Sequence, residues 1–281
     1  MDDSYARTLW SVIEPLHIVT YFSPECVQGH KDVGLKGFWM GYFGARAAPM
    51  GPVPAGVVEA TFYGFHPDRV RRAVPDAWSF ASPGDILRSR EASAARALRR
   101  LAPGIDAAAE KANPLLAAAV EAADGAGRAL FAANRDVPVP DDPVAALWQH
   151  AASLREHRGD GHLAVLAAEG LDGLRSNLLA AAVNGVAFDM LTLTRGFSAE
   201  EIAAGAADLA GRGLLAADGA VTGEGRALRA RIEDRTDALA APAYRAVADP
   251  EGLHALLEPA ARLVMESGEV PFPNPIGLKK R

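Results

Sequence analysis

The sequence contains one cysteine and no long apolar run. With Cys26 alone, the chain cannot form an internal disulfide or a multi-cysteine zinc site. No apolar stretch approaches the roughly 18 residues that a membrane-spanning helix needs, and the opening segment MDDSYARTLW lacks the basic and then apolar layout of a secretory signal. These absences predict a cytoplasmic protein without a membrane segment.

Basic charge is also scarce. The 281 residues contain 29 Lys and Arg against 35 Asp and Glu, which gives a net charge of −6 and a pI near 5.7. Proteins that coat nucleic acid neutralise phosphates with Lys and Arg, so this balance argues against such a role. Hydrophobic residues at 49% and charged residues at 23% indicate a globular protein with room for about two domains.

Runs of β-branched residues are few whereas Ala and Leu dominate, and this composition predicts a mostly α fold. The first part of the chain predicts helices near residues 4–20, 36–46 and 54–63, and one that begins at Pro67. An Ala/Arg-rich helical stretch follows over 83–128, and we expect breaks in it at Pro103-Gly104 and at Asn113-Pro114.

The segment ANRDVPVPDDP (133–143) cannot continue a helix, because it contains three prolines and an acidic pair. It is the best candidate for a linker. We therefore predict an N-terminal helical domain that resembles a degenerate winged helix (1–80), connecting helices (81–132), the linker (133–143) and a C-terminal winged-helix domain (144–281).

The signals for a winged helix-turn-helix lie in the second part. A capping box at Ser198 predicts a helix that runs to Arg212. Gly213 ends this helix, two short extended pieces flank the turn Asp218-Gly219, and a long helix starts after Thr222. This order of helix, wing and helix is typical of the winged helix-turn-helix fold.

Two short matches relate the two parts of the chain. Leu9-Trp10 and Leu147-Trp148 open them, and GLKG (34–37) and GLDG (170–173) follow 25 and 23 residues after the respective Leu. Tandem duplication explains both matches. Chance explains them as well, because Leu, Trp and Gly recur at helix starts and turns, and the sequence leaves both explanations open.

The C-terminal segment GRGLLAADGAVTGEGRALRARIEDRTD (211–237) resembles the winged helix of the MarR group of bacterial regulators. The whole chain resembles a family of uncharacterised actinobacterial helix-turn-helix proteins. This second resemblance is carried by Trp10, Pro15-Leu16-His17, Tyr21-Phe22, GYFGARAAPMG (41–51), LFAAN (130–134), LREHRGDGH (154–162) and NPIGL (274–278). The resemblances imply a fold, and they attach no reaction, cofactor or ligand to it.

Charge on the predicted recognition helix disfavours conventional DNA binding. This helix has acids at Glu200, Glu201 and Asp208, and its one base, Arg212, is at the far end. The wing sequence AADGA has no cation for a minor groove. We expect a module retained for packing or for formation of a homodimer, with DNA binding as the less favoured alternative.

Positive charge concentrates elsewhere, in eight arginines between residues 69 and 100, against three acids in the same stretch. A phosphate-bearing partner suits this cluster. A solvated helical face explains it equally simply, because the long arginine side chain covers apolar surface while its charge stays in water.

The densest polar motif is REHRGDGH (155–162), which places six ionisable side chains around two glycines at an expected helix break. We predict catalytic roles for His157 and His162, each paired with Glu156 or Asp160 for acid/base chemistry. The motif's two arginines, Arg155 and Arg158, suit an anionic group. The alternative is a charged network that joins two helices. The spacing fits no known metal motif, so no metal is predicted.

Aromatic residues collect in the first part of the chain although they make up 7% of the whole. Aromatics at helical spacing form either a core or an apolar pocket with a few polar tips. With the two arginines of REHRGDGH, the predicted ligand-binding residues are His17, Tyr21, Trp39, Tyr42, Arg46, Tyr63, His66 and Trp148.

Three hypotheses for function follow. The leading one is a small-molecule-binding protein on a winged-helix scaffold, whose ligand is anionic and lies between the two parts. The second is an enzyme of secondary metabolism that uses the REHRGDGH residues, and the third is a MarR-like regulator that binds DNA in response to a ligand. The sequence has no phosphate-binding loop, Rossmann glycine pattern or kinase signature, and it identifies no cofactor.

Overall fold

The protein is mostly α-helical, as predicted. A computed structural model describes residues 4–272 and 278, so most of the NPIGL segment lies outside the described residues. The described helices are α1 (Ser4–Phe22), α2 (Pro24–Asp32), α3 (Gly37–Ala47), a 3-10 turn (Ala48–Met50), α4 (Ala55–Phe62), α5 (Pro67–Arg71), α6 (Ala77–Phe80), α7 (Pro83–Leu101), α8 (Ile105–Ala122), α9 (Ala129–Arg135), α10 (Pro143–Ala168), α11 (Gly173–Asn184), α12 (Met190–Arg195), α13 (Ala199–Gly211), α14 (Gly223–Tyr244) and α15 (Pro250–Glu266). None of these helices is both long and apolar enough to cross a bilayer.

Side-chain caps define several helix starts. The Ser82 hydroxyl accepts from the Asp85 amide at the start of α7, and Thr222 caps α14 in the same way. At α13 the predicted capping box is present, with Ser198 bonded to the Glu201 amide and the Glu201 side chain bonded back to the Ser198 amide. The local sequence thus fixes where these helices begin.

Two expected helix breaks do not occur. Helix α8 continues through Asn113-Pro114, and α10 continues through 158–161, so REHRGDGH is part of a 26-residue helix and not a loop. Helix α10 packs against α1, α7, α8, α9 and α14. Burial on so many sides outweighs the low helix propensity of its two glycines.

Helices are exchanged between the first and second parts of the chain. Helix α1 packs against α14 and α15, whereas α10 packs against α7 and α8. Within the first part α2 packs against α7, and within the second part α10 packs against α14. One core accordingly includes residues from Ala6 to Val270. The proposed domain boundaries remain predictions.

Local structure also repeats between the two parts. Phe65 and Phe197 both follow a glycine and are both buried, and each precedes a helix cap. His66 accepts from the Asp68 amide at the start of α5, in the position that Ser198 has at α13. The two halves of the chain, before and after the segment 133–143, thus share short local features, and their origin by tandem duplication stays a prediction.

The segment predicted to form the helix-turn-helix element contains α11, α12 and α13. The wing that follows is a single antiparallel bridge between Leu215 and Val221, shorter than the two extended pieces that the sequence suggested. Leu209, Leu214 and Ile232 join this element to α14 through a core of its own.

Candidate functional site

A cavity of about 590 Å³ lies between the two halves. Helices α1, α3, α10, α11 and α14, the segment 61–65 and the end of α12 form its walls. Its aromatic lining consists of Trp10, Tyr21, Phe22, Phe38, Trp39, Tyr42, Phe62, Tyr63 and Phe65. Its charged lining consists of Arg7, Arg46, Arg155, Arg158, Arg195 and Arg229 together with Glu14, Asp160 and Glu233.

Most of the residues predicted from the sequence line this cavity. They are Tyr21, Trp39, Tyr42, Arg46, Tyr63, Arg155, Arg158, Asp160 and His162. The predicted residues that do not line it are His17, His66, Trp148, Glu156 and His157. The structure therefore separates the two histidines of REHRGDGH. His162 lies at the cavity, and His157 lies away from it.

Glu156 lies behind the cavity wall and ties two arginines together. Arg46 donates from Nε to Oε1 at 2.8 Å and from Nη2 to Oε2 at 2.9 Å, and Arg155 donates from Nη1 to both oxygens at 2.9 Å. Burial alone raises the pKa of this carboxyl, but Arg155 and Arg46 hold it well below its usual range. Glu156 is thus a permanent anion that positions two cavity arginines.

The cluster of Glu156, Arg46 and Arg155 also contacts other side chains of the cavity wall. Glu14 accepts from Arg155 Nε at 3.4 Å and from Trp10 Nε1 at 3.1 Å. The guanidinium of Arg46 also lies 4.3 Å from the centre of the Phe62 ring. Cation and ring stacking of this kind fixes the direction in which Arg46 presents its charge.

A second charged group lies where α1, α10 and α14 meet. Arg158 bonds to Glu233 at 2.8 Å and to Asp237 at 3.0 Å, and Arg7 bonds to the same two acids at 2.9 and 2.7 Å. Burial raises the pKa of Glu233, but the charges of Arg229 and Arg158 outweigh burial and lower this pKa to about 2. These pairs join the first helix of the chain to the second half.

His162 has a defined tautomer at the cavity wall. Its Nδ1 lies 2.9 Å from Thr236 Oγ1, and the Thr236 hydroxyl donates to the carbonyl of Ile232. Since that hydroxyl proton is already used, His162 Nδ1 carries the hydrogen and donates it, which leaves Nε2 as the basic nitrogen. Burial lowers the pKa of His162 to about 4, so the ring is neutral near pH 7.

Asp160 caps a helix that it does not belong to. Its Oδ2 accepts from the amides of Leu130 and Phe131 at 3.0 and 2.9 Å, at the start of α9. Burial raises the pKa of this carboxyl to about 6. Asp160 does not start a new helix, since α10 has no break there.

His157 faces α9 instead of the cavity. Its ring lies edge-on to Phe131 with the ring centres 4.8 Å apart, and burial lowers the pKa of His157 to about 4. Glu156 and His157 are neighbours in a helix, and they point to different partners. They do not form an acid/base pair.

His17 and Trp148 form the layer behind Tyr21. The His17 and Trp148 rings stack at 5.8 Å, and Trp148 Nε1 donates to the carbonyl of His17 at 3.2 Å. His17 Nε2 lies 2.9 Å from the Tyr21 hydroxyl, and the Tyr21 ring lies 4.8 Å from Tyr42. Tyr21 is the member of this layer that reaches the cavity.

The two halves also meet along a seam beside the cavity. The Tyr63 hydroxyl donates to the carbonyl of Leu171 at 2.5 Å, and Asn177 Nδ2 donates to the carbonyl of Gly64 at 2.8 Å. His66 contributes through its amide, which donates to the carbonyl of Arg195 at 3.0 Å, and its ring lies 3.1 Å from Glu201. His66 therefore acts at this seam and not in the cavity.

Sequence reasoning missed Arg195, Glu14 and Glu233 as cavity residues. The sequence contains one signal for Arg195, because Arg195 precedes Gly-Phe in the second half as Tyr63 precedes Gly-Phe in the first. Glu14 and Glu233 carry no local signal. Only the packing of α1 against α10 and α14 brings them to the cavity.

The model of a helix-turn-helix family matches residues 6–271. The chain belongs to this helix-turn-helix family. No curated protein and no solved structure matches the chain.

The surface by which helix-turn-helix proteins read DNA is acidic in this family member. Glu200 and Glu201 are exposed on the first turn of α13. Arg212, its terminal cation, donates to the carbonyls of Gly170 and Glu169 at 3.1 and 3.3 Å. The wing has no cation to add.

The arginines of 69–100 do not form one basic surface. Arg90 is buried, and Arg99 pairs with Asp106 and Asp142. Arg100 pairs with acids in α2 and near the C-terminal end of the described chain. Arg69 donates to the carbonyls of Leu193 and Thr192 at the seam. Many of these charges therefore serve internal packing.

Proposed function

We propose that this helix-turn-helix protein binds a small anionic molecule with an aromatic or otherwise apolar body in the cavity between its halves. The observation that carries the proposal is the cavity's lining, in which nine aromatic rings surround six arginines and only three acids. A cavity of about 590 Å³ has the size of ordinary small-molecule sites. Apolar walls with a few charged groups are typical of such sites.

The arginines nearest the aromatic wall favour an anion. Burial is the main cause that lowers the pKa of Arg195; Tyr42 opposes it, and the charges of Arg46 and Arg155 add to the lowering. The Arg195 guanidinium lies 4.6 Å from the centre of the Phe65 ring. An aromatic carboxylate placed here gains charge-assisted hydrogen bonds and ring stacking together.

Binding of matched probes tests the proposal. Trp10 and Trp39 line the cavity, so their fluorescence reports occupancy. Naphthalene-1-carboxylate and related aromatic carboxylates should bind at least about tenfold more tightly than their neutral amides, a difference of about 1.4 kcal/mol. Arg195→Gln should remove this preference, whereas Arg231→Gln, on the exposed side of α14, should not. Equal binding of acids and amides, or no binding by the whole panel, contradicts the proposal.

A second candidate is a ligand-responsive DNA-binding regulator of MarR-like type, which acts as the single chain or as a homodimer. Membership of a helix-turn-helix family supports it, and the acidic α13 argues against the usual contact surface. Titration of the protein against its own upstream DNA at several salt concentrations tests it. Absence of sequence-specific binding at low salt excludes this candidate.

An enzymatic use of the same cavity is a third candidate, supported by His162. Its neutral ring offers a basic Nε2 at the cavity wall while Thr236 holds Nδ1–H. A folded His162→Gln variant should then lose turnover of a bound compound and keep its binding. Unchanged chemistry in that variant removes His162 from the mechanism.

A further inference from the structure

A small chamber lies behind the cavity, among α1, α2, α3, α7 and α10. It leaves about 10 Å³ for the centre of a water-sized particle, which is about the room that one such particle needs. Tyr21, Tyr42 and Arg46 border both the chamber and the large cavity. His17, His30 and Arg90 line the chamber but not the large cavity.

Each of these three side chains has a nitrogen with no hydrogen-bond partner. The atoms are His17 Nδ1, His30 Nε2 and Arg90 Nε, and the residues are 4%, 7% and 3% exposed. An unpaired buried polar atom costs about 1–3 kcal/mol, and native proteins seldom leave even one without a partner. Three of them around one chamber indicate that something with complementary polarity belongs there.

The charge of Arg90 indicates the kind of partner. Its two terminal nitrogens donate to the carbonyl of Ala45 at 3.0 Å and to the side-chain oxygens of Asn134 and Gln149 at 3.2 and 3.0 Å. All three acceptors are neutral. Burial lowers the pKa of Arg90 to about 10, so the group is still a cation near pH 7. Its hydrogen bonds thus include no anionic partner, although the charges of Glu91 and Glu156 raise its pKa against burial.

The acid in the chamber wall makes no hydrogen bond to Arg90. Glu156 lines the chamber, but its two oxygens are taken by Arg46 and Arg155. Arg46 lines the chamber as well. The walls therefore present two cations and one acid that is already paired, and the surplus is positive.

We propose that the chamber binds one small monovalent anion of halide size. Arg90 Nε–H is a fixed donor to it. His17 presents Nδ1–H when the Tyr21 hydroxyl donates to its Nε2, and His30 presents Nε2–H. The His30 ring packs closely against Gly41 of α3. A side chain at Gly41 would come within 2.8 Å of His30 Nδ1. Three N–H groups suit an ion that only accepts hydrogen bonds.

This site does not depend on a ligand in the large cavity, and its role is to stabilise the junction of the two halves. Arg90 on α7 and His17 on α1 meet α10 at this point. An anion that binds only the folded protein should stabilise it more as the anion concentration rises above its Kd.

Bromide diffraction and halide-dependent unfolding test the proposal on the full-length protein. Crystals soaked in sodium bromide should show anomalous density in the chamber. In solution, chloride should raise Tm saturably compared with gluconate at equal ionic strength, since gluconate is too large to enter. His30→Gln should reduce this difference, and Arg90→Gln, if it folds, should abolish it. Arg88→Gln, on the exposed side of the same helix, should leave it unchanged.

Two results overturn the proposal. One is an ordered water in the chamber with bromide only at the protein surface. The other is the same Tm in chloride and gluconate for the wild type. Either result assigns the three nitrogens to water and leaves Arg90 as a buried cation held by neutral groups.

Discussion

At the scale of single residues, Glu156 shows how much one buried acid supports. It is 2% exposed and neutralises Arg46 and Arg155, which are themselves largely buried. Glu156→Gln leaves Arg46 without its anion and Arg155 with only the longer contact to Glu14, and we expect a loss of about 3–5 kcal/mol in the free energy of unfolding. Urea titration measures this loss.

The matched control is Asp85→Asn. Asp85 forms an exposed pair with Arg88 one helical turn away, and exposed pairs contribute about 0–1 kcal/mol. If both substitutions cost the same, the buried cluster has no special role in stability.

Asp160 and His162 should affect stability with opposite dependence on pH. The folded-state pKa of His162, about 4, is below the usual value of about 6.5, so the unfolded chain binds the proton more readily and stability falls as pH drops from 6.5 to 4. The folded-state pKa of Asp160, about 6, is above its usual value of about 3.9, so its contribution falls as pH rises from 4 to 6.

Two variants separate these effects in unfolding experiments between pH 4 and 7. Asp160→Asn keeps an oxygen for the amides at the start of α9 and removes the charge. It should therefore gain stability relative to the wild type as pH rises, by up to about 3 kcal/mol. His162→Gln should flatten the loss below pH 6.5 by up to about 1.4 kcal/mol per pH unit. Parallel pH curves for wild type and variants would refute both assignments.

At the scale of helices, the glycines of α10 have different roles. A side chain at Gly161 would lie 2.7 Å from Arg128 Nη1, and Arg128 is held by the carbonyls of His157 and Leu239. A side chain at Gly159 would meet only ordinary contacts, the nearest at 3.5 Å from Glu156.

We therefore expect Gly159→Ala to stabilise the protein by about 0.5–1 kcal/mol, because Ala is the better helix former. Gly161→Ala should destabilise it by displacing Arg128. Thermal unfolding of the two variants, which differ by two positions in one helix, gives the comparison. The same sign for both would contradict the packing of Arg128 described above.

Helix starts were predictable from the sequence, whereas helix continuity was not. Ser198 and Thr222 act through neighbouring amides, so a few residues of sequence contain the whole interaction. The continuation of α10 through Gly159 and Gly161 depends on five helices from distant parts of the chain. The same difference holds for the cavity, where clustered Trp39 and Tyr42 were predictable and Glu14 was not.

At the scale of the whole molecule, the seam fixes the two halves against each other. Gly173, the first residue of α11, lies so close to Tyr63 that a side chain there would overlap the Tyr63 carbonyl oxygen. Gly173→Ala should therefore open the seam, lower Tm and weaken binding in the adjacent cavity. Gly223→Ala is the control, because Gly223 is also the first residue after a cap and a side chain there meets nothing within 4 Å. Equal Tm for the two variants contradicts the role of the seam.

The exchange of helices predicts how the protein behaves when its chain is cut between the halves. Val139 is 55% exposed in the segment before α10, so a protease site inserted after it can be cleaved in the folded protein. After cleavage, α1 should still lie on α14 and α15, and α10 on α7 and α8. We expect the two fragments to elute together in gel filtration, to keep the helical circular dichroism of the intact chain and to separate only in denaturant. Fragments that separate without denaturant and stay folded would show instead two domains with independent cores. Co-elution is the expected result because each half contributes helices to the other's core, so neither can leave without exposing the apolar face that its partner covers.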